Sequence, residues 1–150
     1  MGGGRHSGGR EGQTDSAGTI DYRRPVADDH DAIAALILAE WPARAVDAAR
    51  IARWVTKSSF ALVAKAGERV VGFIRVISDE TSSAYIPMLV VDTAWRRQGV
   101  GRRLVEEATD GFRNPEMTWV LRARVGTERF WMAVGFRMSS RAMERVRTAG

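Results

Sequence analysis

The chain has 150 residues, of which 45% are hydrophobic, and a net charge of +5. A chain of this length buries roughly two-thirds of its unfolded surface, which is enough for one domain with an ordinary core. It contains no cysteine, which excludes disulfide bonds, thiolate zinc sites and cysteine nucleophiles. Two histidines, one of them in a glycine-rich segment, argue against a metal site and against a Ser-His-Asp triad. No apolar run approaches the ~20 residues of a membrane span, and no secretory leader is visible, so we expect a cytoplasmic protein.

The positive charge is concentrated in the C-terminal third. Residues 96–150 carry 12 arginines and 6 acidic residues, whereas residues 1–95 carry 11 basic and 12 acidic residues. This asymmetry favours an anionic partner such as a nucleic acid, an acidic membrane surface or a phosphorylated cofactor. Arginine outnumbers lysine 21 to 2, a bias that a GC-rich coding sequence also gives. Charge alone therefore does not identify the partner.

The sequence predicts an N-terminal tail followed by a single domain. Residues 1–18 contain seven of the fifteen glycines and almost no apolar residue, which predicts a disordered N-terminal tail. Hydrophobic spacing predicts alternating strands and helices over residues 19–150, the domain. In chain order these are a strand over 19–24, helices over 28–41 and 45–57, strands over 60–65, 69–77 and 83–91, a helix over 99–112, a strand over 118–124, a helix over 127–134 and a final strand or strand pair over 136–146.

The order β-α-α-β-β-β-α-β-α-β predicts an α/β (α+β) fold, with a mixed sheet carrying helices on its faces. Asp28 or Asp29 is predicted to cap the first helix. Pro87 lies inside the strand over 83–91, where it cannot donate to a neighbouring strand. It therefore predicts an edge, a bulge or an interruption of pairing. We expect Tyr85, Pro87 and Leu89 to share one face of that strand.

A glycine-rich turn follows this strand and opens a helix. Its sequence from Arg96 to Arg103 is Arg-Arg-Gln-Gly-Val-Gly-Arg-Arg. The glycines allow a ligand to approach the backbone, and the helix N-terminus offers unpaired N–H groups, which together predict a pyrophosphate site. A dinucleotide fingerprint is excluded because Leu104 occupies the position of its third glycine, and a Walker loop because Gly-Lys-Ser/Thr is absent. A purely structural tight turn is the alternative.

Two segments resemble the GCN5-related N-acetyltransferase (GNAT) family. Residues 91–101, Val-Asp-Thr-Ala-Trp-Arg-Arg-Gln-Gly-Val-Gly, are similar to motif A of that family, Arg/Gln-x-x-Gly-x-Gly/Ala after the fourth strand. Residues 130–136, Phe-Trp-Met-Ala-Val-Gly-Phe, are similar to its Phe-Tyr-x-x-x-Gly-Phe signature. The resemblance covers about residues 19–147. It implies a mostly antiparallel central sheet flanked by helices, acetyl-coenzyme A as donor, a primary amine as acceptor and no metal.

The resemblance also implies which residues bind the cofactor. Backbone N–H groups of residues 97–102 would hold the pyrophosphate, and residues 88–91 would bind the pantetheine arm where the fourth strand diverges from the fifth. The implied cofactor-binding residues are Leu89, Val90, Val91, Arg96, Arg97, Gln98, Gly99, Val100, Gly101, Arg102, Phe130 and Trp131.

Acetyl transfer to an amine requires an oxyanion donor, a proton acceptor for the ammonium and an acid for the leaving thiolate. The backbone N–H of Leu89 or Val90 is the implied oxyanion donor. The tyrosine that usually acts as the acid in this family corresponds here to Trp131, which has no usable proton near neutral pH. Another group or water must then protonate the thiolate. Residues 124–127 depart from the family as well, because they lack its usual Asn and Ala.

Candidate groups for the acceptor side are less specific. Glu80 and Tyr85 are candidate catalytic groups, and Glu40, Trp41 and Asp79 are candidate acceptor-binding residues. A solvated turn or helix surface is the alternative for the acidic residues, and packing is the alternative for the aromatic ones. Three carboxylates near the expected entrance favour a cationic acceptor, such as a small metabolite, an aminoglycoside-like compound, a peptide N-terminus or a lysine.

Two other functions fit parts of the sequence. The missing tyrosine allows a module that binds acyl-coenzyme A without turning it over. The arginine-rich C-terminal third allows nucleic-acid binding, but its aromatic residues have core-like spacing and do not alternate with basic residues on a strand, which disfavours it. A homodimer is expected from the family resemblance alone.

Overall fold

The computed structural model describes residues 19–145 and 147, so the predicted N-terminal tail lies outside the described residues. The main elements are β1 (Ile20–Arg23), α1 (His30–Glu40), α2 (Ala48–Lys57), β2 (Phe60–Ala66), β3 (Arg69–Ser78), β4 (Ser83–Val91), α3 (Val100–Phe112), β5 (Thr118–Leu121) and α4 (Glu128–Ala133). Short 3-10 turns over Ala27–Asp29 and Thr93–Trp95 precede α1 and α3.

The five strands form one sheet in the order β1-β2-β3-β4-β5. The first three pairings are antiparallel, and only β4 and β5 run parallel. A parallel pair needs a crossover connection, which α3 supplies here. The mixed, mostly antiparallel sheet flanked by helices is therefore confirmed. No helix of the described chain is long and apolar enough to cross a membrane.

Each face of the sheet has its own hydrophobic core. The α3-side core includes Ile74 and Leu104, and the α1-side core includes Ile33 and Phe73. At Gly72 an added Cβ would lie 2.9 Å from Leu104 Cδ1. The absence of a side chain at Gly72 therefore allows α3 to pack closely against β3.

A β-bulge interrupts β4 at Pro87. Met88 pairs with Arg75 and Tyr85 pairs with Ile77, so two residues of β4 face one residue of β3. Proline lacks the N–H that a regular ladder would use at this position, which accounts for the place of the bulge.

The bulge changes the face of the sheet on which the following side chains of β4 lie. Ile86 packs in the α3-side core, whereas Met88, two residues later, packs in the α1-side core. Regular alternation would put both side chains on one face. Leu89 packs against the α3-side core, and Tyr85, next to Ile86, lies on the other face. The expectation that Tyr85 and Leu89 share a face is wrong, because the bulge adds one residue between them.

Asp29 does not cap α1 as predicted, because its carboxylate is used elsewhere. Its side chain is 2% exposed and makes no capping hydrogen bond to the helix. It accepts a hydrogen bond from Val26 N at 2.9 Å and pairs with Arg23 at 3.2 Å and Lys65 at 3.0 Å. Burial opposes ionisation of Asp29, but these three donors outweigh it and hold its pKa below the ordinary value. The residue ties α1 to β1 and β2.

The predicted C-terminal strand over 136–146 is absent from the described residues 136–145, which form turns and irregular backbone. Most of them are exposed, including Met138 and Met143, and Phe136 alone among the described residues 136–145 packs against the α3-side core, so the segment lacks the alternating apolar face of a strand. The strand predicted over 118–124 ends at Leu121. Arg122 and Arg124 lie beyond it and pair with Glu144 and Glu40.

Candidate active site

The principal cavity opens where β4 and β5 separate. The parallel pairing of these strands ends at Ile86 and Leu121, whereas β4 continues to Val91. In the part of the chain described, the edge of β4 from Pro87 to Val91 therefore has no strand partner on the β5 side. We call this gap the slot. It forms part of a pocket of about 1050 Å³, which the end of α1, the glycine-rich turn and α4 also line.

The glycine-rich turn has the backbone geometry of an anion cradle. Gly99 has a φ of +86°, a left-handed conformation that favours glycine, and α3 begins directly after it. The first N–H groups of a helix have no partner within the helix and carry partial positive charge. At Gly101 an added Cβ would lie 3.3 Å from the Phe130 ring and 3.5 Å from Val91 Cγ2. The turn, α4 and the end of β4 thus meet closely around these N–H groups.

Ten of the twelve residues expected to bind the cofactor line this pocket. They are Leu89, Val90, Val91, Arg96, Arg97, Gly99, Gly101, Arg102, Phe130 and Trp131. The other two do not line it. Gln98 is exposed and its side chain donates to Ala94 O at 3.3 Å, while Val100 is buried in the α3-side core.

The aromatic signature near the C-terminus forms one wall. Trp131 is 9% exposed and makes edge-to-face contacts with Phe130, at 5.1 Å between ring centroids, and with Phe136, at 5.4 Å. These contacts fix α4 beside the glycine-rich turn. Trp131 supplies shape and an indole N–H to this wall but no acidic proton.

Glu40 lies at the end of α1 and is held by two arginines. Its carboxylate is 14% exposed, accepts from Arg124 Nη1 at 2.5 Å and also pairs with Arg96. Burial opposes ionisation, but the hydrogen bonds from Arg124 and Arg96 outweigh it and lower the pKa of Glu40. Glu40 therefore lines the pocket as expected, but as an ionised group already engaged by two cations.

Trp41 also lines the pocket, beside two guanidinium groups. The Cζ atoms of Arg44 and Arg124 lie 5.1 Å and 5.4 Å from its ring centroid. Sequence reasoning missed both arginines, because no local pattern connects them to Trp41. The departure from the family pattern at residues 124–127 was the one available signal.

Tyr85 lines the pocket at the bulge. Its neighbour Arg75 stacks 4.8 Å from the Trp54 ring centroid and donates to Ser58 Oγ at 3.0 Å. Burial lowers the pKa of Arg75, and Tyr85 opposes that shift electrostatically. Tyr85 supplies the one phenol among the described pocket residues, and its hydroxyl can both donate and accept hydrogen bonds.

Asp79 and Glu80 do not reach the pocket, contrary to the sequence-based expectation. They lie in the β3–β4 turn, at the opposite end of β4 from the glycine-rich turn. Asp79 accepts hydrogen bonds from the Ser82 hydroxyl and from backbone N–H groups of residues 81–83, which hold its pKa far below the usual range. Glu80 is exposed with a φ of +65°, and its N–H donates to Ser78 Oγ. Both residues shape the turn.

The pocket is strongly cationic. One carboxylate, that of Glu40, faces seven arginines: Arg44, Arg96, Arg97, Arg102, Arg122, Arg124 and Arg129. Such a concave basic surface favours an anionic ligand. No cluster of three or more His, Cys, Asp or Glu residues suited to a metal ion occurs among the residues that the structure describes.

Solved structures share this fold. A protein from Deinococcus radiodurans R1, provisionally designated an acetyltransferase, is 20% identical, with a TM-score of 0.74 over 87% of this chain and 91% of that one. An aminoglycoside acetyltransferase from an uncultured soil metagenomic sample, solved with sisomicin, is 18% identical, with a TM-score of 0.69 over 87% and 97%. Glucosamine-6-phosphate N-acetyltransferase from Arabidopsis thaliana is 16% identical, with a TM-score of 0.68 over 85% and 98%.

Sequence comparison gives the family. No curated protein matches the chain by sequence. The sequence model of the acetyltransferase (GNAT) domain matches residues 25–147. The chain therefore belongs to the GNAT family of acetyltransferase domains, a family that uses acetyl-coenzyme A as a substrate.

Proposed function

We propose that the protein transfers an acetyl group from acetyl-coenzyme A to a primary amine. The observation that carries this proposal is the continuity of the slot with the glycine-rich turn inside one pocket. A diphosphate with a long amide-bearing arm fits such a site, because the turn offers N–H groups to the diphosphate and the unpaired edge of β4 offers peptide groups to the arm.

The glycine-rich turn would hold the pyrophosphate. Gly99 provides the left-handed backbone that starts α3, and the absence of a side chain at Gly101 lets Phe130 lie close against the turn. Arg97 and Arg102 line the same end of the pocket and would add charge to the N–H groups of residues 97–102. Backbone and side chains then act on the same anion.

The slot would carry the chemistry. Bound acetyl-coenzyme A supplies a thioester, and attack of the amine nitrogen on its carbonyl carbon forms the amide as the C–S bond breaks, with no covalent enzyme intermediate. The backbone N–H of Leu89 or Val90, on the unpaired part of β4, would donate to the oxygen that becomes negative. The end of β5 at Leu121 supports this role, because the edge of β4 beyond Ile86 that faces β5 has no strand partner in the described chain, while its other edge stays paired with β3.

Tyr85 is our candidate for moving the proton that the amine releases. Glu40 is a poor base because two arginines stabilise its ionised form, and Trp131 does not exchange protons near neutral pH. The phenol of Tyr85 borders the pocket and both donates and accepts hydrogen bonds. It would pass the proton to water, and water would protonate the departing coenzyme A thiolate.

A non-catalytic acyl-coenzyme A-binding module is the second candidate. Two observations favour it: Trp131 replaces the tyrosine of the family signature, and the one carboxylate lining the pocket is held in ion pairs. Such a protein would use the same slot and turn but would not accelerate transfer.

Calorimetric titration with acetyl-coenzyme A, followed by thiol release in the presence of amines, tests the proposal. We expect micromolar-range binding that is lost in Gly101→Trp, whose indole would occupy the space beside Phe130. Amine-dependent thiol release would support the enzyme, and binding without release from any amine would support the module. Failure of the folded wild type to bind would leave the motif as a structural turn and refute both.

A further inference from the structure

The end of the pocket nearest α1 carries more positive charge than its own carboxylate neutralises. Arg44, Arg96 and Arg124 surround Glu40 and Trp41, so three guanidinium groups meet one carboxylate. Glu40 engages Arg96 and Arg124, whereas Arg44 has no carboxylate partner within the described ranges. We call these five residues the α1-end cluster. It retains a net charge of about +2 in the absence of a ligand.

Apart from Arg96, which Glu40 engages, the arginines that the coenzyme would use lie outside this cluster. Arg97 and Arg102 belong to the glycine-rich turn, and Arg129 lies on α4. Arg102 also donates to Ala133 O at 3.3 Å, which places it against α4. The phosphates of the coenzyme thus have arginines on the α3–α4 side, and Arg44 and Arg124 are left without an assigned ligand anion.

The Trp41 ring packs against two of these guanidinium groups and orients them. Arg44 and Arg124 lie within cation–π distance of the indole, at 5.1 Å and 5.4 Å. A guanidinium packed on an aromatic face keeps the N–H groups of its edge available, and that planar fork matches the paired oxygens of a carboxylate or a phosphate. The arrangement is suited to an anionic group that enters beside Trp41.

We propose that the amine acceptor itself carries a carboxylate or a phosphate, which Arg44 and Arg124 bind beside Trp41. This inference rests on the proposed function. It reverses the sequence-based preference for a cationic acceptor, since Asp79 and Glu80 lie outside the pocket and Glu40 is already neutralised. A polycationic amine would meet like charges at this end of the pocket, whereas an anion on the acceptor would orient its amine toward the slot.

The first test separates the acceptor from the coenzyme. We expect Arg44→Gln to bind acetyl-coenzyme A within about twofold of wild type, whereas Arg102→Gln should weaken binding roughly tenfold or more, as for loss of a charge-assisted hydrogen bond. Arg53→Gln, an exposed change on α2, is the matched control. Equal weakening by Arg44→Gln and Arg102→Gln would overturn the proposal, because Arg44 would then serve the coenzyme.

The second test compares matched acceptors in a thiol-release assay. The pairs are β-alanine with β-alaninamide and O-phosphoethanolamine with ethanolamine, with 1,5-diaminopentane as the dication. For wild type we expect at least one acceptor that bears a carboxylate or a phosphate to have a KM roughly tenfold or more below that of its partner without that group. The carboxylate and phosphate pairs show which anion is preferred. In Arg44→Gln that difference should shrink to about threefold or less, while Arg44→Lys retains part of it because the charge remains.

The outcomes distinguish the two proposals. Amines without an anionic group that are used as well as those bearing a carboxylate or a phosphate would refute the proposed acceptor class but leave acetyl transfer established. A preference for anions that survives in Arg44→Gln would also refute the assignment to this cluster. Absence of thiol release with any amine, despite binding of acetyl-coenzyme A, would refute the proposed function and the inference that rests on it.

Discussion

The two ends of the pocket are built in different ways. At the glycine-rich turn, contiguous residues from Arg97 to Arg102 present backbone N–H groups whose position depends on the φ of Gly99. At the α1 end, side chains from three separate segments of the chain, residues 40–44, Arg96 and Arg124, converge on one carboxylate and one indole. The first end depends on the conformation of one short segment, whereas the second depends on the identity of side chains that are distant in the sequence. Coenzyme binding should therefore depend on conformation, and acceptor choice on charge.

Gly99→Val should have the largest effect on acetyl-coenzyme A binding, because it changes the backbone conformation of the glycine-rich turn. A β-branched residue strongly disfavours the left-handed region, at a cost of about 1–3 kcal/mol, although no atom lies within 4 Å of an added Cβ. The free protein would relieve that strain by rearranging the turn, so calorimetry should show acetyl-coenzyme A binding weakened roughly 10–100-fold. Gly99→Asn is the control, since asparagine tolerates this region. Equal affinities in the two variants would mean that the left-handed turn is unimportant.

Tyr85→Phe tests whether the phenol that borders the pocket beside the slot moves protons. General acid–base groups contribute about 10²–10⁴-fold, and partial replacement by water should leave a decrease in kcat of roughly 10–100-fold. The affinity for acetyl-coenzyme A should stay within about twofold, because the phenyl ring keeps its packing beside the bulge. Steady-state kinetics and calorimetry measure the two quantities. An unchanged kcat would leave Tyr85 as a wall residue.

Sequence reasoning predicts the regular elements well where periodicity and breakers agree. β4 has the predicted bounds Ser83–Val91, and the interruption at Pro87 follows from its missing N–H. The same reasoning fails for 136–146, where scattered apolar residues suggested a strand but most side chains are solvated. It also fails for Asp29. A carboxylate near the start of a helix predicts a cap, but the sequence does not show that Arg23 and Lys65 bind this carboxylate instead.

The candidate site divides in the same manner. The glycine-rich turn could be predicted because its residues are contiguous and its function depends on backbone conformation. The link between Glu40 and Arg124 could not, because the residues are distant in the chain and surface side chains of either type are common. The opposite faces of Tyr85 and Leu89 depend on a one-residue bulge, which a period-two pattern does not reveal.

Glu40→Gln tests how much the ion pairs at the α1 end of the pocket stabilise the fold. Hydrogen bonds to charged groups contribute about 1.5–3 kcal/mol, so the free energy of unfolding at pH 7 should fall by roughly 2 kcal/mol. The folded pKa of Glu40 lies below its ordinary value of 4.5. Its stabilisation is therefore fully present above pH 4.5 and disappears as the pH falls through the lower folded pKa.

The difference in stability between Glu40→Gln and wild type should accordingly be large at pH 7 and small in strong acid. Denaturant unfolding at several pH values measures it. Glu116→Gln, at an exposed residue with no ion pair in the described part of the chain, should show little difference at any pH. A difference for Glu40→Gln that persists undiminished in acid would show that the carboxylate's charge is not what joins α1 to Arg96 and Arg124.

Asp79→Asn should have the smallest effect on function, because the β3–β4 turn lies outside both ends of the pocket. An amide oxygen still accepts hydrogen bonds from the N–H groups of residues 81–83, but it has lost the charge that strengthens them. We expect a slightly lower Tm, with acetyl-coenzyme A affinity and kcat/KM for amines within about twofold of wild type, as for other surface changes. Asp110→Asn, on an exposed part of α3, is the matched control. A tenfold or greater loss of kcat/KM confined to Asp79→Asn would show that acceptors reach this turn, and a cationic acceptor would then regain support.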